Sequence, residues 1–198
     1  WAPYLPLSSS WQEYSDGLKK GLRTDTRRQI RRLEQQGKLS FRECGTIEEV
    51  AQLLDRFSVQ KSQRYTSTGA KDILRGGGPL AFFKDVANSL WERGQVHVSS
   101  LNLGDRPLAV HFGFVSGEKY FYYMPSFDAD FSGFSPGRLL LTHLMEDSFS
   151  NGLSEFDFMA GADAYKYDWT STERTLFEFT SFRRSPRGFV LLGLSLAQ

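Results

Sequence analysis

Between His111 and Trp169 lie most of the residues whose types and spacing could do chemistry. The run Tyr123-Met124-Pro125 closes a strand-like segment on a residue without a backbone N–H. A strand can leave its neighbour at such a point and open a slot. Further along, Ser135 is a natural helix N-cap, Pro136 suits the first helical position, and Gly137, Arg138 and Leu139 follow. Free N–H groups and the helix dipole at that start attract phosphate. Gly137 would admit a pyrophosphate close to the backbone, and Arg138 could add a charge; the plainer alternative is a helix cap.

Four titratable residues are candidates for proton transfer. Asp157 stands between Phe156 and Phe158, so strand alternation turns it to the opposite side of the sheet. Its carboxylate could take a proton from an amine, or bond a neighbouring backbone group or arginine. Tyr165 could donate a proton or simply pack. Lys166 could meet a phosphate or a developing oxyanion, or lie on the surface. His111 has only Ala109 and Gly113 beside it on its face of the strand, which leaves room for a ligand. It is either a general base or a buried, hydrogen-bonded histidine.

A basic stripe lies apart from these. Arg23, Arg27 and Arg31 follow at i, i+4 steps, with Arg28, Arg32, Lys19 and Lys20 nearby. The stripe is a solvated face or an anchor for phosphates of a nucleotide sugar, a lipid-linked sugar or tRNA, with Arg27 and Arg31 central. Gly76-Gly77-Gly78 lacks the Lys and Ser/Thr of a phosphate-binding P-loop and reads as a hinge. The histidines show no metal-ligand spacing, and the single cysteine, Cys44, gives no disulfide framework. No metal site is expected, and a reducing, cytoplasmic setting is.

The elements that must position these groups follow from periodicity. With 198 residues, 40% apolar and 15% aromatic, the chain can bury a core, and its net charge of +1 gives no overall field towards nucleic acid or membrane. Capping boxes at Ser10–Glu13 and Thr46–Glu49 open helices. A helix is expected from Arg23 to Gln36, a strand from Leu39 to Cys44, a mobile loop from Tyr65 to Gly78 and a helix around Leu80–Trp91. Val96–Leu103, Leu108–Val115 and Lys119–Met124 form an antiparallel meander. A helix from Ser135 to Asn151 leads to strands at Glu155–Met159 and Arg174–Phe182, and Phe189–Ala197 reads as a terminal strand or short helix. The order predicts an α+β fold, with one strand-helix-strand crossover. No run of roughly 20 apolar residues could span a bilayer.

The run Tyr122-Tyr123-Met124-Pro125, Phe127-Asp128, Ser135-Pro136-Gly137-Arg138-Leu139, then Gly152, Phe156-Asp157-Phe158, Gly161, Tyr165-Lys166 and Trp169, resembles the CelD-type branch of the GNAT acyltransferases. The Fem-type aminoacyl ligases are more distant kin. The resemblance implies a GNAT-like fold, with a mixed, mostly antiparallel sheet splayed into a V and flanked by helices. It implies one domain over 1–198: helices in 1–36, a core in 37–186 and a terminal segment in 187–198. The chain would be the C-terminal part of a longer protein whose N-terminal GNAT-like half is missing. Acetyl-CoA or another acyl-CoA would lie between the strand through Tyr123 and the strand Glu155–Met159. Pantetheine would bond the backbone near Met124, and pyrophosphate would sit on Ser135–Leu139. The acceptor would be an amino sugar or similar amine, free or on a nucleotide or lipid carrier, in surface-polysaccharide synthesis. Asp157 or His111 would take the amine proton and Tyr165 would protonate the thiolate. The family's usual loop has glycine where Ser135 stands and a basic or amide residue where Ser132 stands. An aminoacyl-tRNA donor, as in the Fem branch, would not need that loop intact. A non-catalytic half of a two-domain protein is the third reading.

Overall fold

The computed structural model describes residues 1–177, 179 and 181. Seven strands form one sheet: β1 (Ala2–Pro6), β2 (Leu39–Glu43), β3 (Val96–Leu103), β4 (Arg106–Ser116), β5 (Lys119–Phe127), β6 (Glu155–Asp157) and β7 (Glu173–Arg174). Among the described residues their order is β2-β3-β4-β5-β6-β1-β7, and only the β5–β6 pair is parallel. Helices α1 (Trp11–Gly17), α2 (Lys20–Glu34), α3 (Ile47–Thr68), α4 (Gly78–Trp91) and α5 (Pro136–Ser150) flank it. The expected mixed, mostly antiparallel sheet, its meander (β3–β5) and its single crossover (β5–α5–β6) are all present.

Two apolar clusters sandwich the sheet. On one face α1, α2 and α5 pack through Trp11, Tyr14, Leu33, Leu139, Leu140, Leu144 and Met145 onto Leu101, Tyr122 and Phe156. On the other, α3 and α4 pack through Val50, Leu54, Phe57 and Phe83 onto Val98, Val110 and Phe112. Alternation along β3 and β4 assigns the faces: Val96, Val98, Val110 and Phe112 turn to α3 and α4, so His97, Ser99 and His111 turn to α5.

The capping boxes form as the sequence predicts. Ser10 accepts from the Glu13 N–H and Thr46 from the Glu49 N–H, both at 3.2 Å. Other expectations need correction. Strand β5 does not end at Pro125; it stays paired with β4 as far as Phe127. The Asp128 N–H bonds the Leu108 carbonyl, so alternation turns Ser126 and Met124 to β4 and leaves Pro125 on the free side, where a missing N–H costs no ladder bond. The segment 65–78 is not loop throughout, because α3 continues to Thr68 and ends on Gly69 in the left-handed conformation. Strand β1 was not anticipated: Pro3 and Pro6 argue against a strand, yet it pairs with both β6 and β7. Strand β6 stops at Asp157, short of Met159, and β7 covers only Glu173–Arg174. Part of the predicted Arg174–Phe182 strand, and all of Phe189–Ala197, lie outside the described residues.

Candidate active site

The slot is a property of one strand pair. β5 and β6 run in parallel register at Lys119–Glu155, Tyr120–Phe156 and Phe121–Asp157, and their pairing stops there. β5 continues along β4, while β6 ends and the chain turns through Met159 at φ 62°. From Tyr122 to Phe127, β5 therefore has a partner on one side only. A bulge sits at the divergence, where Tyr122 and Tyr123 together oppose Gly113. Gly113 admits no side chain: a Cβ there would lie 2.4 Å from His111 Cε1 and 2.6 Å from the Phe121 carbonyl oxygen.

Tyr123 turns its ring to Phe83 and Phe114 on the α3/α4 face, where Met124 is also buried. Their side chains thus lie on the face away from α5, and it is Pro125 and Phe127 whose backbone groups alternate towards the slot. Ser135 begins α5 in the left-handed conformation, φ 52°, and its hydroxyl caps nothing. Its carbonyl instead accepts from the N–H groups of Arg138 (3.0 Å) and Leu139 (3.2 Å), and the Gly137 N–H has no backbone acceptor among the described residues. A Cβ on Gly137 would touch only the Phe127 ring, at 3.6 Å. The Arg138 guanidinium is already bound to Asp25 of α2, and that pairing holds the Asp25 carboxyl below its usual range.

A cation beside Phe127 is Arg64, which no motif in the sequence singles out. It lies on α3 and stacks over the Phe127 ring, 5.3 Å from the centroid. Its field also reaches Tyr122 and Tyr165. Lys61, a turn earlier, is held down to about 8 by burial and then by Arg64. Both cations lie on α3, one turn apart, ahead of its last turn. The only hint in the sequence was apolar helical spacing running towards a presumed loop.

The four proton-transfer candidates fall into different settings. His111 is fully buried; its ring stacks on Tyr122 at 4.4 Å, 3° from parallel, and its Nδ1 lies 3.1 Å from the Tyr120 hydroxyl. Burial, then His97 and Lys61, push its pKa well below the ordinary histidine value. Its Nε2 is buried and has no partner among the described residues. Tyr165 is half exposed, and partial burial raises its hydroxyl to about 12, so it stays protonated and able to donate. Asp157 is buried; it accepts from the Met159 N–H at 2.7 Å and lies 3.9 Å from Arg174, which braces the turn after β6. Lys166 is not on the surface. It donates to the carbonyls of Met159 (3.3 Å), Ala160 (2.9 Å) and Gly161 (2.9 Å) and pairs with Asp163, which staples the same turn.

In the basic stripe, Lys19 pairs with Asp168, Arg23 with Asp16 and Arg28 with Asp25, while Arg32 covers the Phe134 ring. Arg27 and Arg31 are exposed and form no ion pair among the described residues. Also among the described residues, no cluster of three or more His, Cys, Asp or Glu side chains could hold a metal ion, and no helix is long and apolar enough to cross a membrane.

Over residues 20–167 the sequence matches the acetyltransferase (GNAT) domain family. The chain belongs to that family. Within this GNAT domain the β5–β6 divergence and the start of α5 both lie inside the matched region. The fold is similar to that of FemX, with TM-score 0.65 at 12% identity, covering 85% of this chain and 57% of FemX. It is also similar to a conserved protein of unknown function from Bacteroides thetaiotaomicron, with TM-score 0.53 at 12% identity, covering 85% of this chain and 54% of that one. The chain thus spans little more than half the length of these two structures. No curated protein matches the sequence.

Proposed function

We propose that this GNAT domain is an acyl-CoA-dependent N-acyltransferase whose donor lies in the slot between Tyr122–Phe127 and the end of β6. The observation that carries the reading is the loss of β5–β6 pairing after Phe121–Asp157, with the first turn of α5 set against Phe127 beside it. Pro125 and Phe127 would offer backbone groups to pantetheine. The Gly137 N–H, the helix dipole and Arg64 would receive pyrophosphate, with Arg138 held back by Asp25. A neutral amine then attacks the thioester carbonyl. The C–N bond forms, the C–S bond breaks, the amine loses a proton and the thiolate gains one. His111, neutral and with a bare buried nitrogen, is the proposed base; Tyr165 is the proposed acid. Asp157 and Lys166 hold the turn that bounds the slot rather than exchange protons. The acceptor class is an amino sugar or related amine of surface-polysaccharide synthesis, as the CelD-type motif suggests.

The test is direct. The purified protein, given acetyl-CoA and a panel of amino sugars, should release free CoA thiol with at least one of them. Release with none contradicts the reading.

One observation favours a Fem-type aminoacyl-tRNA donor instead. Arg27 and Arg31 project from α2 without ion pairs among the described residues. On that reading charged tRNA binds with a steep salt dependence, and Arg27→Ala with Arg31→Ala flattens the slope by about two phosphate contacts. An unchanged slope and affinity remove it.

A further inference from the structure

His111 is the last member of a chain of buried polar groups beneath α5. Glu43 of β2 lies 3.4 Å from His97 Nε2; His97 Nδ1 lies 2.8 Å from the Tyr120 hydroxyl; the same hydroxyl lies 3.1 Å from His111 Nδ1. His97, Tyr120 and His111 are all buried, and Glu43 is exposed at the sheet edge. The chemistry of the members sets a direction. A carboxylate only accepts, so His97 Nε2 carries the proton facing it. A neutral His97 then has a bare Nδ1, which accepts from the Tyr120 O–H. The Tyr120 oxygen in turn accepts from His111 Nδ1–H, which leaves His111 Nε2 bare. Among the described residues that nitrogen has no partner, and neither does the buried Ser99 hydroxyl directly across the ladder.

The geometry points to a proton wire, Glu43–His97–Tyr120–His111, that fixes His111 as an Nε2 base and carries the proton it takes to the edge of the sheet. A proton bound at Nε2 makes His111 cationic. Its Nδ1 proton moves to the Tyr120 oxygen as the Tyr120 proton moves to His97 Nδ1. Two bonds to hydrogen break and two form; His111 and Tyr120 end neutral, and the charge rests on His97 beside the Glu43 carboxylate. The His97 Nε2 proton then leaves to solvent. Glu43, His97 and Tyr120 are positioning residues on this account. Its catalytic use rests on the acyl-transfer reading, but the wire itself does not.

The wire makes two rings report on one another. Protonation of His97 requires Tyr120 to turn its hydrogen to His111, so His111 inverts from Nδ1–H to Nε2–H. The titratable groups around the wire are Glu43 on β2, His143 with Asp147 on α5, Tyr122 on β5 and Lys61 on α3.

Nitrogen NMR of the imidazole rings in the intact protein tests this without any substrate. In the wild type near pH 8, His111 should carry its proton on Nδ1, and in any state where both His97 nitrogens carry a proton it should carry it on Nε2. Glu43→Ala, a change at an exposed residue, should convert His111 from one tautomer to a mixture, and Tyr120→Phe should abolish the coupled inversion. His111 protonated on Nε2 at pH 8, or a His111 tautomer unmoved by Glu43→Ala, would overturn the wire. Either result leaves the CoA-release assay to be judged separately.

Discussion

The two faces of the same two strands differ in what they bury at their centre. Towards α3 and α4, β3 and β4 present Val96, Val98, Val110 and Phe112; towards α5 they present His97, Ser99 and His111, equally buried, beside the apolar Leu101 and Ala109. Apolar side chains on the first face stabilise the fold by leaving water. Buried imidazoles on the second contribute little stability, and the His111 Nε2 left without a partner costs some. The contrast separates what holds this domain together from what we propose it uses for chemistry.

Substitutions should break the contrast in a set order. Phe112→Ala, on the apolar face against Phe83 and Phe114, should lose about 3–5 kcal/mol by denaturant unfolding. It should leave the His111 tautomer unchanged wherever the protein stays folded. Gly113→Ala should lose ~1–3 kcal/mol, because its new methyl meets both the His111 ring and the Phe121 carbonyl.

The pH dependence sharpens the comparison. Burial lowers the His111 pKa, so the unfolded chain binds a proton there that the folded chain does not. Stability should hold above the unfolded histidine value of about 6.5 and fall as pH drops below it, by at most about 1.4 kcal/mol per pH unit from this group. His143 is lowered in the same sense by burial, so His143→Gln should remove part of the slope and His111→Leu a further part. His111→Leu should itself change stability near neutral pH by no more than ~1 kcal/mol, since it removes the unpartnered nitrogen and leaves Tyr120 bonded to His97. It should nevertheless cut kcat by about 10²–10⁴ if His111 is the base.

Local patterns in the sequence carried the meander, the crossover and the helix starts, because each depends on residues close in the chain. Strand β1 was hidden, since Pro3 and Pro6 contradict local propensity and only its partners β6 and β7 stabilise it. Pro125 marked the right neighbourhood for the wrong reason: it sits on the free side of a strand that had already parted from β6 at Phe121. Asp157 and Lys166 drew notice as isolated polar residues among aromatics, and their partners turn out to be backbone groups of the turn at 159–161. Nothing in the sequence joined His97 to His111, because the link runs through Tyr120 on a third strand. Arg64 was equally out of reach, because its contact with Phe127 joins α3 to a strand more than 60 residues later.

The measurement closest to the central claim is calorimetric titration of acetyl-CoA into the protein and into Gly137→Trp. Gly137 is half-buried and a Cβ there meets a single ring carbon, so the variant should fold and its bulk should fill the start of α5. Saturable binding to the wild type that is lost in the folded variant is the predicted result. Absence of binding to the wild type, or equal binding to both, would contradict a donor site at the β5–β6 slot.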